Sequence, residues 1–271
     1  MIKKLYPNGK NKAYVFSYDD GTLEDLIFVK LLNKYKIKAT FNLNSKLMME
    51  KFSWIHETGQ KITRLSFDES RNLYDGHEIA SHSYSHPYLS ELNHEQIIYE
   101  MLRDKVILER EFKTKIYGFA LPFDTLTWDI SKCARDVGFE YLRASETSNS
   151  LIPDYDYFNF RASVFHLDDN LNDLVDEFLT TDEELACLQI IGHSYDLKIA
   201  NKFDYIEGIL KTLSEDEDAI NLTSIELVRY LKAIRTVTIN HQSIINASNE
   251  ILWFNIDGKI IKVLPKSKYF L

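Results

Sequence analysis

Two histidines four residues apart, His82 and His86, have the spacing in this chain that most directly suggests chemistry. Residues at i and i+4 share a face of a helical turn, and two imidazoles so placed can grip one metal ion. Neutral imidazole suits zinc and its first-row neighbours. The pair lies in Gly76-His77-Glu78-Ile79-Ala80-Ser81-His82-Ser83-Tyr84-Ser85-His86-Pro87, where Pro87 and the serines indicate a strand-to-helix loop rather than a helix interior. A second cluster, Tyr18-Asp19-Asp20-Gly21-Thr22, sets two carboxylates side by side. Adjacent acids repel unless something positive stands beside them, and a metal ion is one such thing. A loop aspartate capping the next helix gives the same local sequence. Ile190-Ile191-Gly192-His193 ends an apolar run in a histidine, and Gly118-Phe119-Ala120-Leu121-Pro122-Phe123 is an apolar run broken by proline. Each cluster alone reads equally well as ordinary structure, a core histidine or a strand end. Their shared position along the elements that carry them makes the difference.

Those elements alternate. Ala13–Ser17, Lys38–Leu43, Glu78–Ser81, Ile116–Leu121, Tyr141–Ala144, Phe158–Phe165 and Ala186–Gly192 read as strands. Between and after them, Leu23–Tyr35, Asp68–Tyr74, His94–Phe112, Thr127–Val137, Leu171–Leu179, Ile206–Leu213 and Ser224–Ile234 carry helical periodicity. In the first of these, Leu26, Ile27, Leu31 and Leu32 are expected on the inner face. Trp54–Ser66 reads as an irregular or hairpin insertion. Strands alternating with helices imply parallel pairing through right-handed crossovers, and six or seven such units fit a closed or nearly closed α/β barrel. All four clusters fall where a strand ends, and β/α barrels build their active sites at the carboxyl ends of the strands. After Ile234 the pattern changes to short strands, with Asp257-Gly258 as a hairpin turn signal. We therefore expect a barrel over residues 1–235 and a small C-terminal β extension over 236–271.

Composition narrows the partners. With 32 basic and 41 acidic residues the formal charge is −9, so a phosphate-binding face is disfavoured and no nucleic-acid partner is expected. Two cysteines, Cys133 and Cys187, are too few for a disulfide framework or a cysteine-built zinc site and read as core thiols. No run of about 18 apolar residues occurs, so no membrane span is expected. Met1–Lys12 lacks the apolar run of a signal peptide, giving a cytoplasmic expectation for the chain as it stands, or an extracellular one had a signal been removed. Aromatic residues at 13% suit either a packed interior or a sugar-stacking surface.

Taken together, the motifs resemble those of the polysaccharide deacetylases, the NodB-homology group or carbohydrate esterase family four. Ser17-Tyr18-Asp19-Asp20-Gly21 resembles that family's first motif, T-F-D-D-G, and His82-Ser83-Tyr84-Ser85-His86 matches its second, H-[ST]-x-x-H. Leu121-Pro122-Phe123 resembles the third, R-x-P-[YF], and Ile191-Gly192-His193 the fifth, L-x-H. The resemblance covers about residues 13–200 in the family's order and implies an irregular (β/α)7-type barrel. It implies that Asp20, His82 and His86 hold a divalent metal, most simply Zn2+, with Co2+, Ni2+ or Fe2+ as alternatives. By the same carry-over Asp19 is the general base, His193 the general acid, and the Phe123 backbone N–H, set by Pro122, the oxyanion donor.

Two departures matter. The family's third-motif arginine, which braces the base, is Ala120 here, and Arg143 or Arg161 could take its place, with Arg143 preferred. The fourth-motif aspartate has no clean match, although His166, Asp168 and Asp169 stand near its place. His77 and Glu78 read as barrel-floor or loop-orienting residues. The resemblance implies removal of acetyl groups from an N- or O-acetylated carbohydrate. Hydrolysis of a small non-peptide amide on the same fold is an alternative, as is a carbohydrate-binding relative with weakened catalysis.

Overall fold

The apolar runs close into a ring. A computed structural model describes residues 2–123 and 125–271. Its barrel strands are β1 (Lys12–Asp19), β2 (Thr40–Leu43), β3 (Glu78–Ser81), β4 (Gly118–Ala120), β5 (Tyr141–Thr147), β6 (Phe160–Ala162) and β7 (Cys187–His193). They pair in parallel in the order β7-β1-β2-β3-β4-β5-β6. Just past β6, Val164–Phe165 leaves β5 and pairs with β7, so one stretch of chain bridges the two edges and the ring shuts. This is the irregular (β/α)7-type barrel expected from the motifs. Every residue of β1 is buried, as a strand covered on both faces must be.

Strand register brings the chemistry together. His193 lies beside Asp19, Asp19 beside Asn42, and Ala120 beside Arg143. The residues quoted above therefore gather at one end of the ring because parallel strands all finish there.

The helix after β1 spans Asp25–Lys34, and its phase differs from the expectation. Asp25, Phe28, Val29 and Leu32 face inward, while Leu26 and Ile27 are exposed. The cause is polar rather than apolar. The Asp25 carboxylate accepts hydrogen bonds from Ser194 Oγ at 2.5 Å and Tyr74 Oη at 2.6 Å, which fixes this residue on the core side. Positions i+3, i+4 and i+7 then follow it inward. Between β2 and β3 the expected insertion is a hairpin, Ser53–Ile55 with Lys61–Thr63.

Beyond residue 236 two small sheets form. Leu252–Ile256 and Lys259–Val263 pair around Asp257-Gly258, whose φ values of 48° and 90° suit a tight hairpin turn. The sheet is completed by Ile2–Leu5 from the other end of the chain, a strand that its polar sequence did not suggest. Thr238–Asn240, Ser243–Asn246 and Ser267–Phe270 make the second sheet. Leu252 and Phe254 share an apolar cluster with Val15, Tyr141 and helix Ser224–Arg235, on the side of the barrel away from the strand C-termini. Cys133 and Cys187 are buried free thiols. Among the described residues no helix is long and apolar enough to cross a membrane.

Candidate active site

Asp19, Asp20, His82, His86, Arg143 and His193 line one cavity of about 280 Å³ at the carboxyl ends of the strands. The loop after β1 turns at Asp20 itself, with φ of 86°, and continues through Gly21 at 63°. That turn separates two neighbouring carboxylates into different surroundings. A side chain at Gly21 would also meet Leu43 Cδ2 at 2.7 Å, so this position needs glycine twice over.

Asp20, His82 and His86 bring one ligand atom each within 4.8 Å of one another. The Nε2 atoms of His82 and His86 are 3.2 Å apart, and Asp20 Oδ1 stands 3.7 Å from the first and 3.4 Å from the second. The Nδ1–H of His82 donates to the Ala120 carbonyl at 2.9 Å, which leaves a lone pair on its Nε2. Burial pushes both imidazoles below their ordinary range, His86 to about 3, despite the nearby aspartates, so both are neutral. Burial works to raise the Asp20 carboxyl, but Arg64 and the surrounding histidines outweigh it and hold it well below the usual carboxylate range. Asp20 Oδ1 is buried and accepts no hydrogen bond, although Arg64 Nη1 lies 2.8 Å away. An ionised oxygen without a hydrogen bond and two neutral imidazoles make a donor set that fits a divalent cation.

Asp19 is held differently. Arg143 Nη2 reaches its two oxygens at 2.6 and 2.5 Å, and Asn42 Nδ2 donates to Oδ1 at 2.7 Å. Burial alone would raise this carboxyl, and Arg143 followed by His82 and His193 lowers it below its ordinary value. His193 Nδ1 is 2.8 Å from Asp196 Oδ2, which leaves Nε2 as the free ring nitrogen. Burial opposes its positive charge, but the Asp196 contact, with Asp20 and Asp19 behind it, raises its pKa. Phe123 sits at φ of 52°, with its ring edge-on to His86 and stacked on Tyr88. Beside this cavity lies a second of about 450 Å³, walled by Phe52, Trp54, Tyr195 and Lys46.

The sequence matches the polysaccharide deacetylase family over residues 7–142. The chain belongs to that family. A peptidoglycan-N-acetylglucosamine deacetylase from Bacillus cereus is 32% identical over 118 residues, which cover 42% of this chain and 35% of the relative. The match thus spans about a third of that relative's length. Among solved structures, a family 4 carbohydrate esterase from Streptomyces lividans in complex with acetate superposes with a TM-score of 0.52 at 17% identity, covering 78% of this chain and 91% of the other. A CE4 family pseudoenzyme from Bacillus anthracis gives a TM-score of 0.52 at 16% identity over 83% and 68% of the two chains. These likenesses establish the fold.

Within this polysaccharide deacetylase chain the departures from the family motifs acquire a spatial account. Ala120 replaces the third-motif arginine, and Arg143 lies beside it in strand register, so an arginine one strand over contacts Asp19. Arg161 instead pairs with Asp154. His166 is not next to the ring of His193 as a hydrogen-bond partner; its Nδ1 shares a hydrogen bond with Tyr18 Oη at 2.7 Å, and Asp168 accepts the Phe165 N–H. Gly192 makes room for that imidazole, since a Cβ there would stand 2.5 Å from His166 Nδ1. The carboxylate on His193 is Asp196, three residues on, at the start of helix Ser194–Ile199. That i,i+3 spacing was readable in His193-Ser194-Tyr195-Asp196. Arg64 and Asn42 carried no local signal. Glu78 binds Thr40, Tyr141 and the N–H of Ile225 near the opposite end, and His77 Nδ1 accepts the Ala39 N–H.

Proposed function

We propose that this chain is a metal-dependent hydrolase that removes acetyl groups from an N- or O-acetylated carbohydrate. The observation that carries the reading is the division of labour between Asp19 and Asp20. One carboxylate points with two neutral imidazoles at a common space, and the other stands outside that trio, 4.0 Å from His82 Nε2, ionised and braced by Arg143. A protein that only held a metal or a sugar has no use for the second. Asp20, His82 and His86 would hold the cation, with Zn2+ the simplest choice for this donor set. When bound, it supplies Lewis acidity to the acyl carbonyl and to the attacking water.

The residues do the rest. Asp19 takes a proton from the attacking water as the new C–O bond forms, and its Arg143 and Asn42 contacts keep it aligned. The Phe123 N–H supports the developing oxyanion. As the C–N or C–O bond to the sugar breaks, His193 gives its proton to the departing nitrogen or oxygen, and acetate leaves. The raised pKa that Asp196 confers suits an acid working near neutrality. The aromatic wall of Phe52, Trp54 and Tyr195 offers faces on which sugar rings stack.

The test pairs elemental analysis of purified protein with acetate release from N-acetylglucosamine oligomers and acetylated xylan, with Zn2+ or Co2+ added. About one metal per chain with acetate release is the expected result. Metal without acetate from either polymer would turn the reading toward a small amide substrate. No bound metal under any loading condition would sink it.

A further inference from the structure

The two loops that carry the candidate ligands are both strained. Asp20 at φ 86°, Ser83 at 67° and His86 at 59° are non-glycine residues in the left-handed region. Each such residue costs on the order of 1–3 kcal/mol unless its surroundings impose the conformation. One buried pair touches both loops. Arg64 Nη1 donates to the backbone carbonyl of Asp20 and to Asn44 Oδ1, the latter at 2.7 Å, while standing 2.8 Å from Asp20 Oδ1. Asn44 Nδ2 donates in turn to the carbonyls of His82 and of Ser83, the latter at 3.0 Å. Arg64 is 3% exposed and Asn44 is fully buried, so water does not compete for these bonds.

The insertion hairpin brings Arg64 to this place. Arg64 forms a β-bridge with Thr22, Thr63 O accepts the Leu23 N–H at 3.0 Å, and Gly21 O accepts the Leu65 N–H at 2.8 Å. Trp54 covers the guanidinium, with its ring centroid 5.2 Å from Cζ. We infer that Arg64 and Asn44 form a clamp that pre-sets Asp20, His82 and His86 for a divalent cation, an inference that rests on the metal-dependent reading above. Arg64 is a positioning residue here, since it touches a ligand and not the reacting atoms. Its charge alone would act in the opposite sense, because a fixed cation beside a metal site weakens metal binding.

That difference in sign gives the test. Metal-free protein is titrated with Zn2+ or Co2+ against a chromophoric chelator, while circular dichroism and the Tm of the metal-free form check folding. Arg64→Ala and Asn44→Ala should each weaken binding by about 10–100-fold, the usual loss when a group that orients a ligand is removed. The double variant should fall well short of the summed single effects, since both members serve one clamp. Arg64→Lys should recover only part of the loss, because an ammonium lacks the planar fork. Should Arg64→Ala fail to fold, Arg64→Lys and Asn44→Ser carry the comparison. Unchanged or tighter binding in the Arg64 variants, or additive losses, would overturn the clamp. Wild-type protein that binds no metal would overturn the reading beneath it, and binding without acetate release would leave the clamp standing on its own titration.

Discussion

At the floor of the barrel, Glu78 is half-buried and its oxygens are fully occupied: Thr40 Oγ1 donates at 2.8 Å, Tyr141 Oη at 2.9 Å and the Ile225 N–H at 2.9 Å. At the mouth, Asp20 is more deeply buried, its Oδ1 stands 2.8 Å from the Arg64 guanidinium, and two imidazole nitrogens face the same space. Positive φ angles at non-glycine residues occur at both ends, at Asp20, Ser83, His86 and Phe123 in the mouth and at Lys36, Lys113 and Leu185 in loops that enter the strands at the floor. What sets the mouth apart is convergence: Asp20, His82 and His86 each bring a ligand atom within 4.8 Å of the others, whereas Glu78 meets hydrogen-bond donors alone.

The sharpest break of that contrast lies within the mouth itself. Asp20→Ala should abolish both metal content and turnover. Asp19→Asn should keep the metal, because Asp19 is not in the ligand trio, and yet lower kcat by about 10²–10⁴-fold, the range general-base catalysis supplies. Metal analysis and acetate release on the same preparations decide it. An Asp19→Asn variant with most of its activity would remove the base assignment, and one without metal would make Asp19 a ligand.

The next effect concerns the proton donor. His193→Ala should lower kcat by about 10²–10⁴-fold with metal content unchanged. Asp196→Asn should cost less, and its signature is a displaced pH profile. An acid must be protonated to act, so activity falls as pH rises through the His193 pKa. Asp196 is the foremost group raising that pKa, and without it the falling limb should move to lower pH. A limb that stays in place would show that Asp196 only shapes the loop.

Much of this was legible in the sequence because it depends on local patterns. Alternating apolar runs and helical periods located the barrel strands, and His82 and His86 declared themselves by spacing. What sequence did not yield were partners set by tertiary placement. Arg64 reaches Asp20 across 44 residues through a hairpin; Arg143, by contrast, was suggested by the departure at Ala120, and it reaches Asp19 across 124 residues through strand register. The phase of helix Asp25–Lys34 was misread because a buried aspartate, not the leucines, fixes its inner face. Ile2–Leu5 looked too polar for a strand, but an edge position needs little apolar character once Leu252–Ile256 offers its backbone. Asp196 was the one omission that a local rule could have prevented.

The smallest expected effect on catalysis tests the other side of the comparison. Glu78→Gln should leave kcat and metal content unchanged, because the floor is remote from the cavity and an amide can keep most of the same hydrogen bonds. Its consequence belongs to stability. Burial raises the Glu78 carboxyl above its ordinary 4.5, against the hydrogen bonds that work to lower it. Between 4.5 and the raised value the folded protein keeps a proton that the unfolded chain has released. Stability is therefore complete below 4.5 and declines as pH rises through the folded pKa, by at most about 1.4 kcal/mol per pH unit for one proton. The glutamine variant carries no such proton, so its unfolding free energy, measured by denaturant titration at a series of pH values, should lack that decline. Parallel curves for the two proteins would show that Glu78 titrates alike folded and unfolded. An altered kcat would show that floor and mouth are not independent.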